Sequence, residues 1–346
     1  MKKPAHILVI RFSAMGDVAM SVPVLERLVK TYPELKITVL TKPSFAPLFE
    51  KIARVKVFSA DVKNTYNGFF GLWKLACELK KLKFDFVADL HNVLRTKILR
   101  FFFFLFGISC ASVDKGRKEK KALTRFGSKQ IFPLKTTHER YAAVFEKLGF
   151  PVDLSIEIKK NQLQLNGNVL ELTGKDPLKW IGIAPFAAHT SKMYPLDLME
   201  TVISELNRTA KYKIILFGGG KQEEEICANL ESKYDHVVSA VGKLTFQEEL
   251  NLIANLDAML SMDSGNGHLA AIFKVPVISL WGATHPYAGF APFHQKMENQ
   301  ILPDLKQFPY LPTSIYGNKF YPEYEDAMRS IKPQTIVEKV QNILND

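Results

Sequence analysis

Small and polar residues that could hold a phosphate directly follow a short apolar run in the C-terminal half. The run Ala258–Met262 predicts a buried strand, and the chain then continues as Asp263-Ser264-Gly265-Asn266-Gly267-His268. Backbone N–H groups at the start of a helix attract anions, so this strand-to-helix turn predicts a phosphate site. The structural alternative is that Asp263 and Ser264 only cap the helix and that His268 is a helix residue with an internal partner.

A lysine occupies a comparable place after another predicted strand of the same half. Trp180–Ala184 is followed by a loop that contains His189-Thr190-Ser191-Lys192 and ends before Pro195. Ligands of open parallel sheets bind where the strands end, so Lys192 is a candidate for binding an anion at that edge. The alternative is an ordinary solvated loop lysine.

The first strand of the chain, His6–Ile10, delivers a possible proton acceptor. The residues that follow it include Ser13, Gly16 and Asp17. Gly16 would let the backbone approach a ligand closely, and Asp17 could accept a proton from a hydroxyl group. The alternative is that Asp17 only caps the next helix. Asp89, followed by His91 at the end of a later strand, is the rival candidate for the base.

The elements that must position these residues alternate along the chain. Short apolar runs that predict strands are separated by stretches of helical periodicity, which is the pattern of βαβ units and a parallel sheet. The pattern breaks at a polar, Gly- and Pro-containing stretch and then restarts. We therefore predict two Rossmann-like α/β domains with a closing helix, bounded as 1–165, a linker at 166–178, 179–331 and 332–346.

Several functional classes are disfavoured because their motifs are missing. No GxGxxG follows a strand, including at Gly218-Gly219-Gly220, which argues against a dinucleotide-dependent dehydrogenase. GxxxxGK[ST] and GxSxG are absent as well, which argues against P-loop ATPases and α/β-hydrolases. The three cysteines form no CxxC pair, so the sequence predicts neither a disulfide framework nor a zinc ribbon. Its acidic residues suggest no metal cluster.

The charge of the 346-residue chain predicts an anionic partner. Its net charge is +11, from 46 basic and 35 acidic residues. Much of that excess lies between Asn92 and Gln130, a segment with ten basic and two acidic residues. Within this segment, Lys118, Lys120 and Lys121 are candidates for an acceptor or membrane surface. The phenylalanines at 101–104 are either part of that surface or the core of a buried helix. No apolar stretch is long enough to span a bilayer, so we expect a cytoplasmic protein.

Three segments, in the same order along the chain, resemble the glycosyltransferase family 9, the ADP-heptose:lipopolysaccharide heptosyltransferases. The first is the opening ILVIRFSAMGDVAMSVPVLERLVKTYPELKITVLT. The second is THERYAAVFEKLG, similar to the segment that closes the family's first domain. The third is SMDSGNGHLAAIFKVPVISLWGATHP, similar to the family's second signature. Together they extend over nearly the whole chain.

The resemblance implies a GT-B architecture, in which two Rossmann-like α/β/α domains face each other across a cleft. The acceptor would bind mainly to the N-terminal domain and the nucleotide-sugar to the C-terminal one. The closing helix 332–346 would pack back on the N-terminal domain. The implied reaction transfers a heptose, with inversion, from ADP-heptose to a lipid A–core acceptor, without a required cofactor or bound metal. The implied partners are a nucleotide-sugar, a glycolipid and the anionic inner membrane, and not nucleic acid.

The resemblance also implies a role for each matching residue. The family's proposed base falls on Asp17, with Ser13 and Gly16 beside it. The diphosphate-binding lysine falls on Lys192. The diphosphate-binding turn falls on Ser264 and Gly265, within a motif that includes Asp263 and His268. The adenine-contacting loop falls near Gly242-Lys243-Leu244, and one of Glu223, Glu224 or Glu225 would meet the ribose.

The chain departs from the family pattern at two places. Ala187 and Ala188 stand where hydroxyl residues are common in the family, so phosphate contacts there would use only the backbone. Residues 308–324 match no family segment. The alternatives that follow are a glycosyltransferase of the same fold with another nucleotide-sugar, a nucleotide-dependent enzyme of another type, and a non-catalytic protein that binds anions or nucleic acid.

Overall fold

The computed structural model describes residues 5–126, 131–158, 163–174, 176–319 and 321–345. The chain forms two compact units, each with its own core. The first contains Met1–Lys115 and Thr137–Lys159, and the second contains Gly116–Thr136 and Lys160–Asp346. Both are α/β units with an entirely parallel sheet, which confirms the predicted pair of Rossmann-like domains.

The first unit has a five-stranded sheet in the order β3-β2-β1-β4-β5. Its core lies where apolar side chains of the strands meet helices α3 and α4, around Leu8, Leu75 and Phe103. The elements of this unit are β1 (His6–Ile10), α1 (Met15–Ala19), α2 (Val22–Thr31), β2 (Lys36–Thr41), β3 (Val55–Ser59), α3 (Gly68–Lys80), β4 (Phe86–Asp89), α4 (Leu94–Leu105), β5 (Ser109–Ser112) and α6 (Thr137–Lys147).

The second unit has a six-stranded sheet in the order β11-β10-β9-β6-β7-β8. Buried residues of its strands pack with those of helices α8, α9 and α12, for example Ile183, Val202 and Val340. The elements of this unit are α5 (Arg117–Leu123), α7 (Gly167–Thr173), β6 (Lys179–Ala184), α8 (Leu196–Arg208), β7 (Tyr212–Leu216), α9 (Lys221–Lys233), β8 (Val237–Ser239), α10 (Phe246–Ile253), β9 (Ala258–Met262), α11 (Gly265–Ile272), β10 (Val277–Leu280), β11 (Gln300–Ile301) and α12 (Pro333–Asn345).

Each sheet has a point where the order of strands reverses. In the first unit this point lies between β1 and β4, and in the second between β6 and β9. Loops that leave adjacent strands at such a point diverge to opposite sides and open a crevice at the carboxyl edge, where ligands of this fold class bind. The candidate residues after β1, β6 and β9 therefore lie at the binding edges of their sheets.

The spacing of apolar residues from Asp17 to Thr31 predicts a single helix, whereas the structure has two helices there. Helix α1 ends at Ala19, and α2 begins at Val22 with Pro23 as its second residue. Proline lacks an N–H and its ring clashes with the preceding turn, so it is tolerated at a helix start and disrupts a helix interior.

The predicted linker and the predicted packing of the closing helix differ from the structure. The proposed linker 166–178 contains α7, which Asn166 caps through its side chain and which buries Val169 in the second unit. The closing helix α12 was expected on the N-terminal domain. Its buried residues instead join the core of the second unit, where it packs on α8. An amphipathic pattern shows that one face is buried and leaves the partner of that face undetermined.

The basic segment Asn92–Gln130 does not stay in one unit. Residues 92–115 belong to the first unit and residues from Gly116 onward to the second, while 127–130 lie outside the described residues. Among the helices that the structure describes, none is both long enough and apolar enough to cross a membrane.

Candidate functional site

In the second unit, Lys192 and Asp263 form an ion pair at the point where the strand order reverses. Lys192 lies in the short 3-10 turn Thr190–Lys192 after β6, and Asp263 directly follows β9. The Lys192 Nζ atom lies 2.9 Å from Asp263 Oδ2, and both side chains are largely buried. The Thr284 hydroxyl donates to the same carboxylate oxygen at 2.9 Å. An ammonium has three N–H donors, so Asp263 orients Lys192 while leaving donors for a phosphate oxygen.

The turn after β9 supplies the backbone N–H groups of a helix start. Ser264 is the N-cap of α11, but its side chain makes no capping hydrogen bond. Its buried hydroxyl oxygen has no hydrogen-bond partner among the described residues. Gly265 is the first residue of α11, so its N–H lacks a partner within the helix. His268 is buried in the first turns of that helix.

Residues 308–324, which match no family segment, include a glycine that packs against the side chain of Lys192. A Cβ added to Gly317 would lie 2.5 Å from the Lys192 Cγ atom, so the lysine stem packs directly on this glycine. The Ser191 hydroxyl donates to the Gly317 carbonyl at 2.6 Å, and the Ser191 carbonyl accepts from the Ala283 N–H at 2.8 Å. The loops after β6 and β10 and the segment around Gly317 thus hold the lysine together.

The glutamates at the start of α9 differ in what they contact. Glu223 accepts a hydrogen bond from the Gly219 N–H at 2.7 Å and thereby caps the glycine turn. The Glu224 carboxylate lies against Gly242, where an added Cβ would come within 3.0 Å of it. Gly242 opens the predicted adenine loop, which also contains Leu244. Of these two glutamates, Glu224 is the one whose carboxylate lies beside that loop.

In the first unit, Asp17 forms an ion pair with Arg11 at the end of β1. The Arg11 Nη2 atom lies 2.5 Å from Asp17 Oδ2, and the arginine side chain is 7% exposed whereas the aspartate is 32% exposed. Arg11 also donates from Nη1 to the Leu90 carbonyl at 2.6 Å, and the Tyr141 hydroxyl donates to the Asp17 carbonyl at 3.3 Å. The carboxylate of Asp17 is thus fixed in position yet open to solvent.

Asp17 also has part of the capping role that the structural alternative gave it. It is the third residue of α1, beside Gly16, and its Oδ2 accepts from the Ala14 N–H at 3.3 Å. That hydrogen bond is long, and the shorter contact of the same oxygen is the one with Arg11. Capping and a chemical role are therefore compatible at this residue.

His91, which follows β4, is buried close to Ser13. Its Nε2 atom lies 3.5 Å from the Ser13 hydroxyl. Burial, together with the nearby cations Arg11 and Lys115, lowers the pKa of His91 to about 3. The imidazole is thus neutral near neutral pH. The first unit therefore presents a carboxylate, a hydroxyl and a neutral imidazole at one edge of its sheet.

The structure assigns the rival residue Asp89 a structural role. Its side chain is fully buried, with Oδ1 accepting from the His91 and Asn92 N–H groups at 3.0 and 2.8 Å. Its Oδ2 lies 3.1 Å from Arg100 Nε. A carboxylate enclosed in this way holds the loop after β4 and has no exposed oxygen for an acceptor hydroxyl.

The predicted basic surface at Lys118, Lys120 and Lys121 is only partly exposed. Lys118 and Lys121 are exposed, whereas Lys120 is buried and places its ammonium 3.9 Å from the centre of the Phe290 ring. The prediction of a surface role for Lys120 was wrong because this residue of the short helix α5 is buried against the ring of Phe290. In the described part of the chain, no three His, Cys, Asp or Glu residues come together in an arrangement that could hold a metal ion.

Sequence patterns assigned no role to three residues of these sites, which are Arg11, Thr284 and Gly317. Arg11 directly follows the first apolar run, and its pairing with Asp17 depends on how the loop after β1 folds. Thr284 lies in the Gly-Ala-Thr that follows β10, and its contact with Asp263 requires that β9 and β10 be neighbours. Gly317 offered no sequence pattern at all.

Comparisons with known proteins agree with the resemblance. The chain matches the profile of "Glycosyltransferase family 9 (heptosyltransferase)" over residues 72–310, which is more than half of its length. It is 29% identical to the lipooligosaccharide heptosyltransferase 2 of Haemophilus influenzae over 308 residues, covering 81% of this chain and 84% of that protein. It is 24% identical to the protein of the same name from Campylobacter jejuni, covering 96% of both chains.

Solved structures show the same fold. The glycosyl transferase family 9 protein of Veillonella parvula superimposes with a TM-score of 0.75 at 21% identity, covering 100% of this chain and 99% of that one. The E. coli heptosyltransferase WaaC with ADP has a TM-score of 0.65 at 18% identity, with 98% and 99% covered. These likenesses confirm the GT-B fold class. By its sequence profile and its fold, the chain belongs to glycosyltransferase family 9.

Proposed function

We propose that the chain is an inverting glycosyltransferase that transfers a heptose from ADP-heptose to a lipopolysaccharide core acceptor. The observation that carries this proposal is the donor edge of the second unit. There, Lys192 is held by Asp263 at 2.9 Å, next to the start of α11 and the hydroxyl of Ser264. An ammonium and a helix N-terminus favour two adjacent phosphates. The relatives named above are heptosyltransferases, which suggests the sugar.

In the proposed reaction, the second unit binds the leaving group. Breaking the bond between the anomeric carbon and the diphosphate oxygen leaves the electron pair, and therefore negative charge, on ADP. Lys192 and the N–H groups at Ser264 and Gly265 would stabilise that charge. Preorganised groups of this kind typically change the rate by about 10²–10³-fold each when removed.

Asp17 would act on the acceptor. Its carboxylate takes the proton of the attacking hydroxyl while the acceptor oxygen forms a bond with the anomeric carbon, opposite the departing diphosphate. One carbon–oxygen bond forms, one breaks, and the configuration inverts. Arg11 positions the carboxylate through their 2.5 Å contact, and the exposed fraction of Asp17 leaves it accessible to a hydroxyl. The neutral His91 would position Ser13 beside it.

We further propose that Glu224 binds the ribose of the donor and that the loop around Leu244 contacts its adenine. Glu223 already accepts the Gly219 N–H, while the Glu224 carboxylate lies against Gly242. A carboxylate accepts hydrogen bonds from both ribose hydroxyls. We place the acceptor's lipid in the cytoplasmic leaflet of the anionic inner membrane, with the protein peripheral to it.

Ligand binding tests the class of donor, and product analysis tests the reaction. The purified chain is expected to be stabilised against heating by ADP, and less by UDP, NAD or an oligonucleotide. With ADP-heptose and a heptose-deficient lipopolysaccharide acceptor, it should release ADP and add one heptose to the lipid, detected by mass spectrometry. Stabilisation by UDP alone would indicate another nucleotide-sugar. Stabilisation only by NAD or the oligonucleotide would overturn the proposal.

A further inference from the structure

Helices α3 and α4 of the first unit leave large apolar side chains exposed to solvent. Phe70 is 84% exposed, and Phe104 is 74% exposed. Single exposed apolar residues are ordinary, but a contiguous set on one surface marks an interaction site. We call this set the aromatic face, and its members are Phe69, Phe70, Trp73, Leu94, Phe101, Phe104 and Leu105.

Four aromatic members of the face are linked, directly or through a neighbour, by one buried residue. The centre of the Phe102 ring lies 5.1 Å from that of Phe69, 5.0 Å from that of Trp73 and 6.0 Å from that of Phe101. Phe70 in turn packs on Phe69 with its ring centre 6.0 Å away. The exposed rings therefore rest on the core of the unit, which holds them outward as a fixed surface.

Helical periodicity places the α4 members of the face on one side. Leu94, Phe101 and Leu105 are seven and four residues apart, and Phe104 lies three residues after Phe101. The remaining aromatic residues of this helix, Phe102 and Phe103, point inward and are buried. The four consecutive phenylalanines thus serve two purposes, with two in the core and two on the surface.

Basic residues predominate in the segments that carry the aromatic face. Residues 68–83 and 94–105 contain seven Lys and Arg and one acidic residue, Glu78, whose carboxylate accepts the Tyr66 hydroxyl at 2.7 Å. Lys97 is exposed on the α4 side of the face, between Leu94 and Phe101. The exposed lysines are Lys74, Lys80, Lys81, Lys83 and Lys97.

We propose that the aromatic face is a docking surface for an anionic phospholipid bilayer. Aromatic rings and leucines insert at the boundary between headgroups and acyl chains, and lysines around them meet anionic headgroups. The docking surface rests on the proposed function in one respect, because the proposed acceptor is a lipid of the membrane. It also relocates the membrane contact, from the lysines near residue 120 to α3 and α4.

The charge of the surface favours a bilayer over a second copy of the chain. In a twofold dimer built on the aromatic face, the exposed lysines of both copies would surround the same interface. With one acidic residue among eight charged residues of these ranges, such an interface lacks opposite charges to pair with them. An anionic bilayer supplies negative charges opposite the exposed lysines.

Vesicle co-sedimentation of the full chain tests the proposal without donor or acceptor. Vesicles of phosphatidylglycerol and phosphatidylcholine should bind the protein, and vesicles of phosphatidylcholine alone should bind it much less. Phe70→Ser with Phe104→Ser is expected to lower the partition coefficient about 10-fold or more. Lys74→Glu with Lys97→Glu should lower it by a similar factor on the anionic vesicles.

Matched variants outside the aromatic face serve as controls. Phe132→Ser with Met297→Ser removes two apolar residues of the second unit that are 52% and 50% exposed, and should leave vesicle binding unchanged. Lys118→Glu with Lys121→Glu tests the other basic surface and should have the smaller effect. ADP affinity, measured on every variant, reports the donor site separately. Failure of ADP binding with intact vesicle binding would therefore contradict only the proposed function.

Two results would overturn the docking surface. One is vesicle binding that the Phe70 and Phe104 substitutions leave unchanged. The other is absence of vesicle binding by the wild-type chain. If that chain instead forms a dimer in analytical ultracentrifugation, and the Phe70 and Phe104 substitutions abolish the dimer, the face binds a second copy of the chain.

Discussion

Replacing Asp17 by asparagine separates its possible chemical role from its structural one. The amide has the same size as the carboxylate and can still accept the N–H of Ala14, which now lies 3.3 Å from Oδ2. It cannot take up the proton of an acceptor hydroxyl. It also removes the negative charge that faces Arg11 at 2.5 Å.

The structure sets the expected cost in stability. Removing one partner of a fully buried ion pair typically costs about 3–5 kcal/mol. Arg11 is 7% exposed but Asp17 is 32% exposed, so water can reach the vacated side of the guanidinium. The Leu90 carbonyl remains bonded to Arg11. We therefore expect Asp17→Asn to lower the free energy of unfolding by about 1–3 kcal/mol.

The expected catalytic effect is much larger than this structural one. Loss of a general base should reduce kcat by about 10²–10⁴-fold. The dissociation constant for ADP should stay within about 2-fold of wild type, since the donor-binding residues belong to the second unit. The assay follows ADP release with saturating acceptor, at a temperature where unfolding curves show both proteins to be folded. Calorimetry supplies the ADP affinity.

Asp176→Asn provides a matched control. Asp176 lies 2.7 Å from the ammonium of Lys213, which is 10% exposed, so a mostly buried cation again loses a partly exposed carboxylate. This variant should lose stability and keep its kcat. If Asp17→Asn retains kcat within about 3-fold of wild type, Asp17 is only the anchor of Arg11 and the assignment of the base to it is refuted.

The other predictions concern the donor lysine, its support and the buried histidine. Lys192→Ala should weaken ADP binding at least about 10-fold in calorimetry, because Asp263 then faces the diphosphate without its cation. Gly317→Ala should weaken it as well, because the new methyl group would collide with the Lys192 stem at a positive φ. Gly219→Ala, whose Cβ would meet nothing within 4 Å, should bind ADP normally. The low pKa of His91 means that below pH 6.5 the unfolded chain binds a proton that the folded one excludes until about pH 3. Between pH 6.5 and 4, the free energy of unfolding measured in urea should therefore fall less steeply for His91→Gln than for wild type. The difference should reach up to about 1.4 kcal/mol per pH unit, and an equal dependence on pH in both proteins would contradict this pKa.

Local sequence patterns predicted the strands that lie at the centre of each sheet. His6–Ile10 and Ala258–Met262 match β1 and β9 residue for residue, because both are short, mostly apolar runs buried on two faces. The edge strands β3, β5 and β11 were not predicted. Val55–Ser59 is mostly half-exposed and Gln300–Ile301 has two residues, so neither carries a distinct pattern of burial.

The sequence by itself determined the residue types at the binding edges. A glycine-rich turn, a lysine and an aspartate each lie in a segment that follows a strand, and this requires only local order along the chain. Tertiary structure decided which of them meet. The Lys192 and Asp263 side chains are 71 positions apart in sequence and come within 2.9 Å because β6 and β9 pair in parallel.

Only the folded chain shows which distant residues pack against each other. An apolar or charged side chain is stable in any environment that is complementary to it, and a folded chain offers many such environments. Thus α12 packs in the second unit, Lys120 is buried on Phe290, and Phe101 and Phe104 are exposed while Phe102 and Phe103 between them are buried. Each outcome depends on which distant segment occupies the adjacent space, and that is set by the packing of whole elements rather than by neighbours along the chain.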